Sequence, residues 1–173
     1  MKSYAGIGSR DITKDEKKRI YNIAKYLMRK EYYLYSGNAD GADIAFQEGS
    51  YYYCIIFLPW AGFNFEKYDC SGGKVADCFW EPTKEAIDSI AKYHPKPDAL
   101  KHGGRAMMAR NYHQVMGHGD YPQVDFVLCC AEPYKGGVKG GTGQAVRIAL
   151  DKGIPVINLR EMGWLDKLKE CIK

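Results

Sequence analysis

The residues best suited to holding an anion stand in "VKGGTGQAVRIALDKGIPVINL", residues 138–159. Gly140, Gly141, Thr142 and Gly143 precede an apolar helical period, so their backbone N–H groups point outward from a helix N-terminus. There the helix dipole adds roughly 0.3–1 kcal/mol for a negative charge, and each charge-assisted hydrogen bond about 1.5–3 kcal/mol. Gln144 follows directly. A hydrolytic catalyst built on such a loop wants a carboxylate here, and glutamine supplies none for acid–base or nucleophilic work. The loop favours holding a phosphate over cutting beside it.

Other stretches carry complementary groups. In "AGIGSRD", Gly8 allows close backbone approach, Ser9 offers a hydroxyl and Arg10 a bidentate guanidinium; the same residues also suit a plain strand-to-helix turn. "YSGNADGADIAF" sets Ser36, Gly37, Asn38 and Asp40 near a helix N-terminus, where an acid can bond ribose hydroxyls. Helix capping by Asp40 and first-turn support by Asp43 are the alternative uses. Arg110 beside Asn111 is out of place in the apolar "RAMMARNYHQ" unless one of them faces something polar. Trp60, Phe63 and Phe65 are suited to stacking on a base or to closing the core at a strand end.

These segments need elements to position them. "SYAGIG", "YYLYSG", "YYYCIIFLPW", "VDFVLCCA" and "IPVINL" read as strands, the third as a continuous and central one. Between them lie helical periods: "DITKDEKKRIYNIAKYLMRK", with Thr13 and Glu16 as a capping box; "DGADIAFQEG", with Asp40 at or near its N-cap; "TKEAIDSIAKYHP"; "GGRAMMARNYHQVMG"; and "GGTGQAVRIALDKG". "GWLDKLKECI" is a terminal helix, and residues 61–81 read as one long loop, a lid or a packing insertion. Alternating strands and helices predict right-handed crossovers and an α/β Rossmann-like fold: an open, mostly parallel sheet flanked by helices, in one domain over 1–173. Ligands of such sheets bind beyond the carboxyl ends of the strands, where all the segments above converge.

Composition narrows the function. The formal net charge is +4, compatible with an anionic ligand but too small by itself to argue for nucleic-acid binding. The lysines and arginines of residues 14–30 form the solvated face of a helix. Cys54, Cys129 and Cys130 lie in apolar runs as buried thiols, Cys70 and Cys78 lack CxxC spacing, and His113 and His118, five apart, do not share a helix face. No metal and no cofactor are expected. The chain shows no transmembrane run and no signal-like apolar block, and is expected to be cytoplasmic.

Taken in order, "GIGSRD", "SGNADGAD", "LPWAGFN", "ARNYHQVMG" and "GGTGQAVRIA…GIPVINL" resemble the SLOG superfamily of Rossmann-like nucleotide-binding proteins. The nearest likeness is to small phage and bacterial DprA-like proteins, with the LONELY GUY phosphoribohydrolases as further relatives. The resemblance covers most of the chain and is weakest over residues 66–100. It implies a small phosphorylated nucleotide, NAD- or ADP-ribose-derived or cyclic, held as a sensor or sponge. It also implies a homo-oligomer, dimer or tetramer, in the bacterial host cytosol if phage-encoded. On that reading Gly140–Gly143 hold phosphate with Ser9 and Arg10, Asn38 and Asp40 face the ribose, Arg110 and Asn111 close the site, and Trp60 stacks on the base. The LONELY GUY pattern PGGxGTxxE is not intact, since Gln144 and "AVRIA" bring no acid to the first turn. An N-glycosidase acting on nucleoside monophosphates would need Asp40, or else Asp11 or Asp43, as its catalyst. DprA-like binding of single-stranded DNA is the other implied alternative, without a basic stripe interleaved with aromatics to support it.

Overall fold

The computed structural model describes residues 1–67 and 77–172. Six strands form one parallel sheet: β1 (Lys2–Gly8), β2 (Tyr32–Ser36), β3 (Cys54–Phe57), β4 (Asp77–Phe79), β5 (Phe126–Cys130) and β8 (Val156–Asn158), in the order β4-β3-β2-β1-β5-β8. A two-stranded hairpin, β6 (Pro133–Tyr134) and β7 (Gly137–Val138), leads into α5 (Thr142–Asp151). The other helices are α1 (Lys14–Arg29), α2 (Ala42–Ser50), α3 (Lys84–Tyr93), α4 (His102–Met116) and α6 (Trp164–Cys171). This is the α/β Rossmann-like architecture that the alternation of periods predicts. No described helix is long and apolar enough to cross a membrane.

The strands sort their side chains with period two onto two cores. Tyr4, Phe126, Leu128 and Cys130 face the side covered by α1, α2 and α6. Ala5, Ile7, Val127 and Cys129 face the side covered by α3, α4 and α5. Burial raises the thiols of both β5 cysteines, Cys130 to about 11 and Cys129 to about 12, so they behave as small apolar residues. Cys54, Cys129, Cys130 and Cys171 are free thiols.

α1 starts where its sequence says. Thr13 Oγ1 accepts from the Glu16 N–H at 3.1 Å, and Glu16 Oε2 accepts from the Thr13 N–H at 2.8 Å, a complete capping box. Its buried face is Ile20, Ile23, Ala24 and Leu27.

Several elements differ from expectation. Residues 61–81 are not all loop: Asp77–Phe79 pair in parallel with Ile55–Phe57 as the edge strand β4, a run of three residues too short for a period to declare itself. The part of that loop over 68–76, Cys70 included, lies outside the described residues. β3 is shorter than "YYYCIIFLPW", because Tyr51 and Tyr52 are exposed in the turn after α2, and it lies one strand in from the edge rather than at the centre. The β6–β7 hairpin, with two residues to a strand, is likewise too short to leave a pattern in the sequence. Asp40 stands beside the N-cap residue Gly41 but makes no capping bond, since its carboxylate is drawn away to Lys67 at 2.6 Å. His113 and His118 do meet, with ring centroids 5.0 Å apart, because α4 ends at Gly117 and the chain folds back.

Replacing Thr13 with alanine removes one half of the capping box. We expect a stability loss of about 1 kcal/mol, read as a lower urea midpoint with an unchanged slope.

Candidate functional site

β1 lies between β2 and β5, whose crossovers leave it in opposite directions. At that switch point an open α/β sheet has a crevice that no connection fills. Here it is a cavity of about 500 Å3, walled by the β1–α1 turn, α4, the start of α5 and the end of β5.

The β1 end is tightly made. The Ser9 N–H donates to Cys130 O at 2.8 Å, the Ser9 carbonyl accepts from Ala42 N–H at 3.0 Å, and Ser9 Oγ accepts from Asp11 N–H at 3.0 Å. The hydroxyl proton remains available to a ligand. Arg10 is exposed beside it and, among the described residues, enters no ion pair.

At the β2 end one residue serves two charges. Gly37 donates its N–H to Asp43 Oδ2 at 3.0 Å and accepts at its carbonyl from Arg110 Nη1. Arg110 and Asp43 lie 3.8 Å apart, each with a side chain only 5% exposed. Burial pushes the Asp43 carboxyl upward, against Arg110 and the N–H groups of Gly37 and Ala39, which lower it. Burial likewise pushes Arg110 down, against Asp43. Among the described residues Arg110 Nε is buried without a partner, so the guanidinium is under-used by the protein. A Cβ on Gly37 would collide with Arg110 Nη1; the close approach requires glycine.

The start of α5 presents backbone donors that no side chain caps. Gly140 has φ +74°, which turns the chain into the helix, and no side chain caps the first turn. Asn111 Nδ2 donates to Gly141 O at 3.0 Å and so holds the loop to α4. Around the cavity the charges are largely matched: Lys139 pairs with Glu132 at 2.6 Å, and Arg160 pairs with Glu16 at 2.7 Å while donating to Asp11 O at 3.0 Å. Arg10 and the α5 N-terminus are left to attract an anion.

Of the residues singled out by sequence, Gly8, Ser9, Arg10, Asp11, Arg110, Asn111, Gly140, Gly141 and Thr142 line this cavity. The others stand elsewhere. Ser36 is buried in the sheet, and Gly143 packs its backbone against Val138 O. Asn38 is buried, donating to Phe63 O at 2.9 Å and accepting from Asn64 at 2.9 Å, so it ties down the chain after β3. Asp40 is held below the usual carboxylate range by Lys67 and then Asn64, away from the cavity. Trp60 lies edge-on against Phe63 at 5.1 Å. Gln144 is fully buried and donates to Met108 O at 3.0 Å, so it fastens α5 to α4. Gln114, Glu132 and Lys139 also line the cavity without standing out in the sequence, and so does Asp43, whose position there suggests only first-turn support or a substitute catalyst. The spacing Met107, Arg110, Gln114 on one helix is the available signal.

Fold and crevice together define a Rossmann-like α/β protein. No protein-family model matches the chain, and no curated protein does. Solved structures do. TM1055 superposes with a TM-score of 0.58 at 16% identity, covering 98% of this chain and 81% of that one. DNA processing protein A from Helicobacter pylori, described for its single-stranded DNA binding mode, gives 0.54 at 18% identity over 98% and 72% of the two chains. DNA processing protein A from Streptococcus pneumoniae gives 0.50 at 15% identity over 99% of this chain, which spans only 54% of that protein. At such identities the likeness is one of fold, the fold that the ordered motifs imply.

Gly37→Ala is expected to displace Arg110 and lower stability by roughly 3 kcal/mol or more, the scale of breaking a buried ion pair, measured by denaturant titration. The Glu16 carboxyl is held at about 2 against its ordinary 4.5, chiefly by the hydrogen bond from Arg160. That stabilisation is complete above pH 4.5 and fades as pH falls toward 2. Glu16→Gln should flatten the stability profile over that interval.

Proposed function

We propose that the protein binds the phosphate of a small nucleotide in the cavity at the β1/β5 switch point, and that its role is to hold this ligand. The observation that carries this reading is Arg110, a buried guanidinium with an unpartnered Nε, lining a cavity that also opens on the uncapped start of α5. In this reading Gly140, Gly141 and Thr142 donate to phosphate at the helix N-terminus, and Ser9 and Arg10 close on it from the β1 side. Asp43, rather than Asp40, is the acid positioned to meet a ligand hydroxyl, since Asp40 is engaged by Lys67. Gln144, spent on Met108, takes no part in chemistry.

A second reading has one specific observation behind it. Asp43 is a buried carboxyl raised by desolvation and bordering the cavity, the state a general acid needs for an N-glycosidase reaction. Binding of single-stranded DNA, the property for which the Helicobacter pylori protein is described, is a third, resting on likeness of fold.

Incubation with nucleoside monophosphates, NAD, ADP-ribose and cyclic nucleotides, followed by mass spectrometry of the bound fraction, separates these readings. We expect an intact ligand at about one per protomer, and Arg10→Ala to weaken it roughly tenfold or more with the fold unchanged. Free base accumulating beyond one turnover, and ceasing in Asp43→Asn, would establish the glycosidase instead. Oligonucleotide affinity falling steeply with salt, with no mononucleotide retained, would establish the DNA binder.

A further inference from the structure

The β6–β7 hairpin rises from the rim of the cavity at the β1/β5 switch point. Ala131 and Glu132 just before it line that cavity, and so do Lys139 and Gly140 just after it. Lys135 at φ 46° and Gly136 at φ 75° make its two-residue turn, the kind whose twist matches that of paired strands. Two contacts hold the hairpin down. Val138 is buried in the core, and at the base Glu132 and Lys139 meet through their side chains at 2.6 Å and their backbones at 3.0 Å.

Pleating sorts the hairpin's side chains. Pro133 stands opposite Val138, and Tyr134 opposite Gly137. Side chains alternate along a strand and opposed residues share a face. Val138 therefore marks the face toward the core, and Glu132, Tyr134 and Lys139 lie on the other face. Glu132 and Lys139 line the cavity from there. Tyr134 is the next position outward on the same face, two residues or about 7 Å along. The contact bears this out, since the Lys139 ammonium lies 5.9 Å from the Tyr134 ring centroid.

The ring is open to a ligand. Tyr134 is 49% exposed, and the residue opposite it is a glycine without a side chain. Its ring neighbours among the described residues are two flexible ammonium groups, Lys135 at 5.2 Å and Lys139 at 5.9 Å. An exposed cation–π contact is weaker than a base stacked on an aromatic ring, so a base displaces them. The route from the cavity is also open. A Cβ on Gly136 or Gly140 would meet nothing within 4 Å. Trp60, by contrast, lies against Phe63 and does not line the cavity.

We propose that Tyr134 is the base-stacking residue of the site. A single nucleotide places its phosphate at the α5 N-terminus and its sugar in the cavity, and its base emerges over the rim onto the Tyr134 ring. This rests on the phosphate-site reading above.

The test uses two probes, AMP and ribose 5-phosphate, which has the same sugar and phosphate and no base. Both are titrated calorimetrically at fixed salt into the full chain and into Tyr134→Ala, Tyr134→Phe and Arg10→Ala. AMP should bind roughly 5- to 100-fold more tightly than ribose 5-phosphate, the effect of one base–aromatic stack. Tyr134→Ala should bring AMP down to the affinity of ribose 5-phosphate and leave the latter unchanged, which also shows that the variant is folded. Tyr134→Phe keeps the ring and should bind AMP like the parent. Equal affinity of the two probes overturns the stacking role, as does a Tyr134→Ala variant that binds AMP like the parent or weakens both probes alike. If both probes are then still lost in Arg10→Ala, the phosphate site stands alone. Binding of neither probe to the parent overturns both readings.

Discussion

The pair of Arg110 and Asp43 is the constraint around which the rest is arranged. Two opposite charges with 5% of their side chains exposed have each lost several kcal/mol of hydration, and at 3.8 Å their attraction alone does not fully replace it. Gly37 completes the balance by giving its N–H to the acid and its carbonyl to the base. The end of β2, the first turn of α2 and the middle of α4 are thereby fixed to one another at the carboxyl edge of the sheet. A side chain at residue 37 would collide with the Arg110 guanidinium.

With α4 held, the crevice takes its shape. Asn111, one residue along, grips Gly141, and Gln144 reaches back to Met108, so the glycine loop before α5 hangs from the same helix that carries the buried cation. Cations that could crowd the mouth are already matched, Lys139 by Glu132 and Arg160 by Glu16. What is left facing the cavity is modest in charge: Arg10, the unspent donors of Arg110, and the dipole of α5. A site so balanced suits a ligand with few charges and definite hydrogen-bonding edges better than a long polyanion, whose binding draws on many unpaired cations.

Much of this is legible from residue order. The capping box at Thr13 and Glu16, the apolar face of α1, the buried cysteines of β5 and the glycine-led start of α5 follow from local rules, and the structure has each of them. The parallel sheet follows from alternation, because strands joined by helices must cross over in one hand. Where local rules fail, the cause is contact between distant segments. Asp40 has the residue type and position of a cap, but Lys67, from the chain beyond β3, takes its carboxylate. His113 and His118 are unrelated by helical spacing, yet that spacing stops applying once the helix ends between them. β4 has three residues and no pattern of its own, and exists only because β3 offers it an open edge.

The sequence by itself determined the alternation of strands and helices and the glycine-led start of α5, products of period, capping and glycine conformation within a few residues. The tertiary structure decided which polar residues face the cavity. Asp43 rather than Asp40 lines it, Gln144 turns inward, and Arg110 borders it from α4. The reason is physical: a side chain's direction and partners depend on what packs against its element, and those neighbours lie tens of residues away along the chain.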